Sequence, residues 1–218
     1  MKLGVNSVDD LAKLKVSSID DLTKIGIKNK NDLAKLGIDS SDLKKLGIDP
    51  KVFEITADSI KKVKYGEQFT KANRKKALKA NITYTDINNY SYQTDSYGRI
   101  VKATTSDLKL GEGKRNPYAQ RTVGGEDRLP TDDGGHLFGT QFNGSGEIDN
   151  LLPQDAKINR SGGEWYLMES EWRDALNDGY VVKVNIIPKY KNKSLRPISY
   201  TVKYEIDGVK YIKNIKNA

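Results

Sequence analysis

Hydrophobic and polar positions follow two different periods along this chain, and the change between them divides the sequence. From residue 5 to residue 47 one motif recurs every eleven residues, shortening to ten in the last copy. From Ile82 onward the pattern changes to short segments rich in β-branched and aromatic residues, bounded by Gly, Asn and Asp, which is typical of β-strands. The sequence therefore predicts a repeated region followed by a β-rich region.

Each repeat predicts one short helix. Ser or Asn stands at an N-cap position, Asp fills the first turn, Lys lies in the last turn, and Gly ends the helix. A helix of two turns is unstable alone, so we expect the repeats to stack into a small all-α array over residues 1–49. Its simplest role is a spacer or docking module without chemistry. We expect it to bury one leucine and one β-branched residue from each repeat, namely Leu11, Leu22, Leu33, Leu43, Val5, Val16, Ile27 and Ile38.

The rest of the chain predicts a connector and a mixed α+β domain. Residues 50–81 are interpreted as a basic connector, with a basic helix over 69–79. Residues 82–218 predict a domain with a hairpin that turns at Gly98, a loop over 110–132 and a helix over about 163–177. Three strands follow over 180–188, 198–204 and 209–215, and Asp207-Gly208 signals a hairpin between the last two. Strands on both sides of one helix favour an α+β fold.

Positive charge is concentrated in one part of the chain. The net charge is +8, of which residues 51–80 contribute +6, with nine Lys or Arg against three Asp or Glu. Such a patch raises the local concentration of a polyanion, although a solvated linker helix explains it equally well. The chain has no cysteine, which excludes disulfides and thiolate metal sites. It shows neither a membrane-spanning apolar run nor the apolar segment of a classical signal peptide.

One stretch carries residue types that are unusual for a plain core. His136 is the only histidine of the chain, and histidine is the side chain that exchanges a proton near neutral pH. Two glycines precede it, and amide side chains follow. Trp165, Glu169 and Arg173 are spaced four residues apart, which places them near one face of a helix. The arrangement predicts an imidazole that faces a carboxylate and a guanidinium.

The ordered set of these residues resembles the DNA/RNA non-specific endonucleases of the ββα-metal superfamily, relatives of the HNH nucleases. The resemblance covers roughly residues 85–205, and its Gly-Gly-His form looks like the branch found in bacterial polymorphic toxin C-termini. Two departures stand out: Gly134 replaces the arginine that follows the family's Asp, and two extra residues separate Asn159 from Trp165. The motifs read Asp133-Gly134-Gly135-His136, Asn150-Leu-Leu-Pro153-Gln154, Asn159, Trp165, Glu169 and Arg173.

The resemblance implies a ββα-metal nuclease core with flanking antiparallel strands, and a role for each site residue. His136 would be the general base that activates water. Asn159 would bind one divalent cation, Mg²⁺ or another such as Mn²⁺, and Glu169 would hold the metal-bound waters. Arg173 would face the phosphate. The remaining candidates are Asp133 and Asn150 among the catalytic residues, and Gln154, Arg115 and Arg121 for binding substrate; either arginine is a candidate for the contact that Gly134 cannot make.

The activity expected from the resemblance is metal-dependent, sequence-nonspecific endonuclease cleavage of DNA, with RNA as a further candidate substrate. It also implies an antibacterial toxin, secreted or delivered to target cells and restrained by an immunity protein. A different class remains open, in which the protein is a non-catalytic nucleic-acid-binding or adaptor protein that acts through its repeats. Residue by residue, ordinary roles such as helix cap, core or surface ion pair compete with the catalytic ones.

Overall fold

The computed structural model describes residues 8–18, 21–22, 25–27, 32–33, 36–50, 60–72 and 74–218. Contacts divide the chain into two compact units, Met1–Lys61 and Lys62–Ala218. Within the described part, no helix has the length and apolar character needed to cross a membrane.

The first unit buries the repeated apolar positions. Helices α1 (Val8–Lys13) and α2 (Ser40–Lys45) each bury one leucine. Asp39, rather than Ser or Asn, caps α2, and its carboxylate accepts from the backbone N–H of Ser41 and Asp42. The array remains a prediction, since Val5 and parts of the repeats lie outside the described residues. One buried cluster contains Leu11, Val16, Leu22, Ile27, Leu33, Ile38, Leu43 and Ile48.

The second unit is built on an antiparallel sheet with two separate ribbons. The sheet has seven strands in the order β1-β4-β5-β6-β9-β10-β11, and the ribbons are β2–β3 and β7–β8. The confirmed hairpin at Gly98 joins β5 to β6. The strands in chain order are β1 (Lys61–Lys62), β2 (Phe69–Ala72), β3 (Lys75–Leu78), β4 (Ile82–Thr85), β5 (Ser91–Thr94), β6 (Ile100–Thr105), β7 (Asp132–His136), β8 (Leu151–Asp155), β9 (Val182–Tyr190), β10 (Pro197–Ile206) and β11 (Val209–Lys216).

Helix α5 (Glu164–Asn177) packs on the sheet through one face and confirms the predicted site helix. Its buried residues include Trp165 and Trp172, seven positions apart, so both fall on the same side. The Trp165 ring meets Tyr200 of β10 edge-on at 5.0 Å between centroids. The domain is therefore a mixed α+β fold, and the helix that carries Glu169 and Arg173 is fixed by an aromatic core.

Two local predictions were wrong. The expected basic helix over residues 69–79 is the β2–β3 ribbon, in which Phe69 pairs with Leu78; a lysine-rich segment lacks the apolar periodicity that would decide between the two. The expected loop over 110–132 contains helix α3 (Pro117–Thr122), capped by Asn116, and a 3₁₀ helix at Gly125–Asp127. The Asn-Pro pair that opens α3 was the signal for it.

Candidate active site

The predicted site residues converge on a hairpin and the two helices that follow it. In the β7–β8 ribbon, Asp133 pairs with Gln154 and His136 with Leu151. Helix α4 (Ala156–Asn159) starts at the end of β8 and ends at Asn159, shortly before α5. This strand–strand–helix unit places His136 at the end of one strand and Asn159 at the end of a helical turn.

His136 is held neutral in a partly buried position. Its Nε2 atom is buried and has no hydrogen-bond partner among the described residues. Burial, with a smaller contribution from the positive charge of Arg115, lowers the pKa of His136 from 6.5 to about 4. A neutral imidazole keeps a nitrogen lone pair, so His136 has the protonation state that a general base needs.

Asp133 and Asn159 are in direct contact. Asn159 donates through Nδ2 to Asp133 Oδ2 at 3.1 Å, and Arg160 donates to both carboxylate oxygens at 2.9 and 3.0 Å. These bonds lower the pKa of Asp133, the Arg160 bond contributing most. The amide oxygen Oδ1 of Asn159 accepts no hydrogen bond from the described residues, while the bond from Nδ2 to Asp133 fixes the orientation of the amide. The sequence had not singled out Arg160, although it directly follows Asn159.

Glu169 and Arg173 meet through Gln141. Gln141 donates to Glu169 Oε2 at 3.5 Å and accepts from Arg173 Nη1 at 3.3 Å. The other carboxylate oxygen, Oε1, is buried without a hydrogen-bond partner in the described part of the chain. Burial raises the pKa of Glu169 to about 7. A Cβ atom added at Gly139 would lie 2.8 Å from Oε1, so the carboxylate lies against the segment that follows His136. Sequence patterns gave no signal for Gln141.

The side chain of Asn150 holds the loop that follows His136. It is fully buried, and Oδ1 accepts from Phe138 N at 3.0 Å and Tyr92 Oη at 3.1 Å. Nδ2 donates to the carbonyl oxygens of Phe138 and Ser145, each at 2.8 Å. All hydrogen-bonding positions of the amide are therefore used to hold the loop after His136. This geometry favours a bracing role over direct catalysis for Asn150.

Gln154 and Gly134 are constrained by close packing. Gln154 is 2% exposed, and a side chain at Gly135 would overlap it. A Cβ at Gly134 would overlap the backbone of Gln120 in α3. The position therefore excludes the arginine that the family motif carries there unless α3 moves.

A cleft of about 530 Å³ runs beside the Asp133–Asn159 pair. Arg128 is committed to the fold, since it donates to the backbone oxygens of Gln120 and Asp132. Neither Arg115 nor Arg121 has a carboxylate partner within the described residues. Because Arg160 is paired with Asp133, the positive charge left in the cleft is that of Arg115 and Arg121, which suits an anion. Its charged lining residues are Arg115, Arg121, Arg128, Arg160 and Asp133.

The donor atoms present fit one hard cation that keeps most of its waters. In the described part of the chain, no group of three or more His, Cys, Asp or Glu side chains is placed to hold a metal ion. The amide oxygen of Asn159 and the buried Oε1 of Glu169 are nonetheless oxygen atoms without partners. Mg²⁺ is commonly bound through one or two protein oxygens, so a site with a single direct ligand at Asn159 is compatible with this geometry.

Comparisons with known proteins place this site in context. A family model described as DNA/RNA non-specific endonuclease matches residues 80–208. The type VII secretion system protein EssD of Staphylococcus aureus strain USA300 is 48% identical over 160 residues, which cover 72% of this chain and 26% of that protein. EssD of strain NCTC 8325 / PS 47 matches to the same extent. The chain thus spans about a quarter of the length of these curated relatives.

Solved nuclease structures show weaker similarity. The structure titled Sda1 nuclease with bound zinc ion is 14% identical, with a TM-score of 0.46, covering 59% of this chain and 75% of that one. A structure titled extracellular endonuclease is 18% identical, with a TM-score of 0.40, covering 60% of this chain and 79% of that one.

Proposed function

This chain belongs to the DNA/RNA non-specific endonuclease family, and from that premise we propose that it hydrolyses phosphodiester bonds of DNA with His136 as general base and one divalent cation. The observation that carries this proposal is the neutral His136, whose buried Nε2 lacks a partner, on the strand that lines an arginine-rich cleft. A base needs a free lone pair near its substrate. His136 follows Asp133 and Gly134, which line the cleft, and Arg115 of the cleft wall is close enough to lower its pKa.

The protein's own groups supply proton transfer and charge neutralisation. His136 accepts a proton from the water that attacks phosphorus. Arg115 and Arg121 bind the phosphate from the cleft wall, where their forked donors match its oxygens. Arg173, held by Gln141, faces the same charge. Asp133 fixes Asn159 and Arg160 and so orients the end of the strand that carries the base.

A divalent cation, Mg²⁺ or another such as Mn²⁺, would be held by Asn159 and would stabilise as a Lewis acid the charge that builds on the phosphate and the leaving oxygen. Glu169 adds a second buried oxygen on the neighbouring helix. Its pKa of about 7 implies that a positive charge bound close by would favour the ionised carboxylate.

The proposed substrate is inferred from the part of a nucleic acid that arginine side chains contact. Phosphates are common to every sequence and to both DNA and RNA, and contacts to them position the chain without reading bases. An arginine-lined cleft therefore supports a sequence-tolerant enzyme that acts on DNA and accepts RNA as a second substrate. Competition between duplex DNA and single-stranded RNA in one reaction measures that preference.

The biological setting proposed is that of a toxin. The similarity to EssD, a type VII secretion system protein, supports secretion or delivery to target cells. A nuclease of this kind endangers the cell that makes it. We therefore propose that an immunity protein inhibits it before release. Co-expression with neighbouring open reading frames, scored by rescue of growth, tests this part separately from the chemistry.

The chemistry is tested by incubating the protein with supercoiled plasmid, in Mg²⁺ and in EDTA. Wild type should cleave only with metal, His136→Ala should not cleave, and Asn159→Ala should need far more metal. Asn177→Ala, at the exposed end of α5, is the matched asparagine control and should cleave like wild type. Cleavage by His136→Ala at the wild-type rate would remove His136 from the mechanism. No cleavage by any variant would favour the non-catalytic adaptor.

A further inference from the structure

Part of the excess positive charge of the chain lies on a β-ribbon. Residues 60–81 contain eight Lys or Arg and one Glu. Part of this charge lies on the ribbon formed by β2 and β3, in which Lys71 pairs with Lys76 and Ala72 with Lys75. Like charges directly opposite each other destabilise a strand pair. The fold therefore maintains an arrangement that local strand energetics disfavour.

The ribbon is anchored to the loop between the two site strands. Gln68, fully buried, donates to the buried Asp149 at 2.8 Å. Lys76 donates to Glu147 at 2.7 Å and lies 3.8 Å above the Phe69 ring centroid. Asp149 directly precedes Asn150, which holds the backbone after His136. The ribbon is thus tied to the active site by two side-chain contacts and is not a free linker.

The outer cations of the ribbon have no structural task. Lys71, Arg74 and Lys75 are exposed, and none of them has a carboxylate partner among the described residues. Lys76 differs, because its charge is used by Glu147. These three cations can therefore bind an external polyanion without breaking an ion pair of the described residues.

The anchor connects the ribbon to the arginine-lined cleft. Glu147 accepts from Asn116 at 2.7 Å, and both residues line a second depression of about 570 Å³. Arg115 and Pro117 line this depression and the arginine-lined cleft alike. The second depression therefore adjoins the cleft, and Glu147 on its wall binds the ribbon through Lys76. The family model begins at residue 80, so the ribbon lies outside the matched segment.

From these contacts we propose that the β2–β3 ribbon is a second nucleic-acid contact, in which Lys71, Arg74 and Lys75 bind backbone phosphates of the substrate away from the scissile bond. This inference rests on the proposed nuclease function. Residues 68–79 would extend the length of nucleic acid that the protein contacts. The ribbon raises affinity for long nucleic acids and takes no part in the chemical step.

The test compares two triple variants that remove the same charge. The ribbon variant is Lys71→Gln, Arg74→Gln, Lys75→Gln, and the control variant is Lys189→Gln, Lys193→Gln, Lys203→Gln, three exposed lysines elsewhere. Binding to a duplex of about 30 base pairs is measured by fluorescence anisotropy in EDTA over a range of salt concentrations. Each lost phosphate contact lowers the slope of log affinity against log salt by about 0.9. The ribbon variant should lose a slope of about 2 to 3, with roughly tenfold weaker binding near 0.15 M salt.

Cleavage assays separate affinity from chemistry. The ribbon variant should raise KM for the duplex with kcat unchanged, and should cleave a tetranucleotide like wild type. The charge-conserving variant Lys71→Arg, Arg74→Lys, Lys75→Arg should keep the wild-type salt slope, because charge alone is required. Equal losses in the ribbon and control variants would overturn the proposal. Wild-type binding that depends on the ribbon, without any cleavage, would refute the nuclease function and leave the ribbon contact standing.

Discussion

Replacing His136 with glutamine should make the protein more resistant to acid. In the folded state the pKa of His136 is lowered from 6.5 to about 4 by burial. Between these two values the unfolded chain binds a proton that the folded chain does not, so stability falls as pH decreases from 6.5 to 4 and is unaffected above 6.5. Glutamine stays neutral throughout, so the variant loses this dependence.

The magnitude follows from the two pKa values. One pKa unit corresponds to about 1.36 kcal/mol, so the full effect below pH 4 is about 3.4 kcal/mol, and about 2.5 kcal/mol is reached at pH 4.5. These figures describe how the difference in unfolding free energy between His136→Gln and wild type changes from pH 7.5 downward. The carboxylates titrate alike in both proteins, so their contributions to the unfolding free energy cancel in that difference.

Tryptophan fluorescence is the appropriate probe for this measurement. The chain has two tryptophans, and both Trp165 and Trp172 are buried in the second unit, at 1% and 0% exposure. Urea unfolding followed by their emission therefore reports the domain that contains His136. Free energies are taken for both proteins at pH 7.5, 6.5, 5.5 and 4.5, with equal slopes in urea required for the comparison.

A difference that stays constant from pH 7.5 to 4.5 would show that His136 has an ordinary pKa in the folded protein. Burial would then not control the protonation of His136, and the imidazole would be partly charged near pH 6. A difference of the opposite sign would mean that an unrecognised carboxylate stabilises the imidazolium. Either result would move the acid limb of the cleavage rate to a higher pH.

Three further predictions concern the surroundings of the site. Because the folded pKa of Glu169 is raised to about 7, Glu169→Gln should stabilise the metal-free fold at pH 8 and have no such effect at pH 4, as measured by thermal unfolding. Gly134→Arg should lower stability by about 1 to 3 kcal/mol through overpacking against α3, and plasmid cleavage should not increase; a stable, more active variant would contradict the close packing. Asn150→Ala should cost about 3 kcal/mol or more because it leaves buried backbone partners unpaired, which urea unfolding measures; a loss below 1 kcal/mol would refute the bracing role.

The sequence predicted those parts of the fold that depend on local pattern. The site helix was recognisable because Trp165, Glu169 and Arg173 repeat with helical spacing, and the last hairpin because Asp207-Gly208 favours a tight turn. In the structure both residues have positive φ, +48° and +89°. The site strand and helix were found from residue types in a fixed order. Such features are encoded within a few residues and need no knowledge of distant contacts.

The features that sequence patterns missed depend on contacts between distant parts of the chain. The ribbon at residues 69–78 is held by bonds to Glu147 and Asp149, more than seventy residues away, which override its weak local preference. Gln141 matters only because the fold brings it between Glu169 and Arg173. The absence of a side chain at Gly134 is explained by the backbone of Gln120, whose position no local pattern predicts.

Hydrogen-bond satisfaction separates the residues of the motif into those that hold the site and those that are left to react. Asn150 and Asp133 use their polar atoms on other parts of the fold. His136 Nε2 and Glu169 Oε1 are buried without partners in the described structure, as are Gln154 Oε1 and Trp165 Nε1, and each such atom costs stability. An active site tolerates this cost because substrate, water or a cation completes the missing contacts. Hydrogen bonding therefore supports bracing roles for Asn150 and Asp133, and among the motif atoms left without partners His136 and Glu169 carry the titratable groups that we propose for the chemistry.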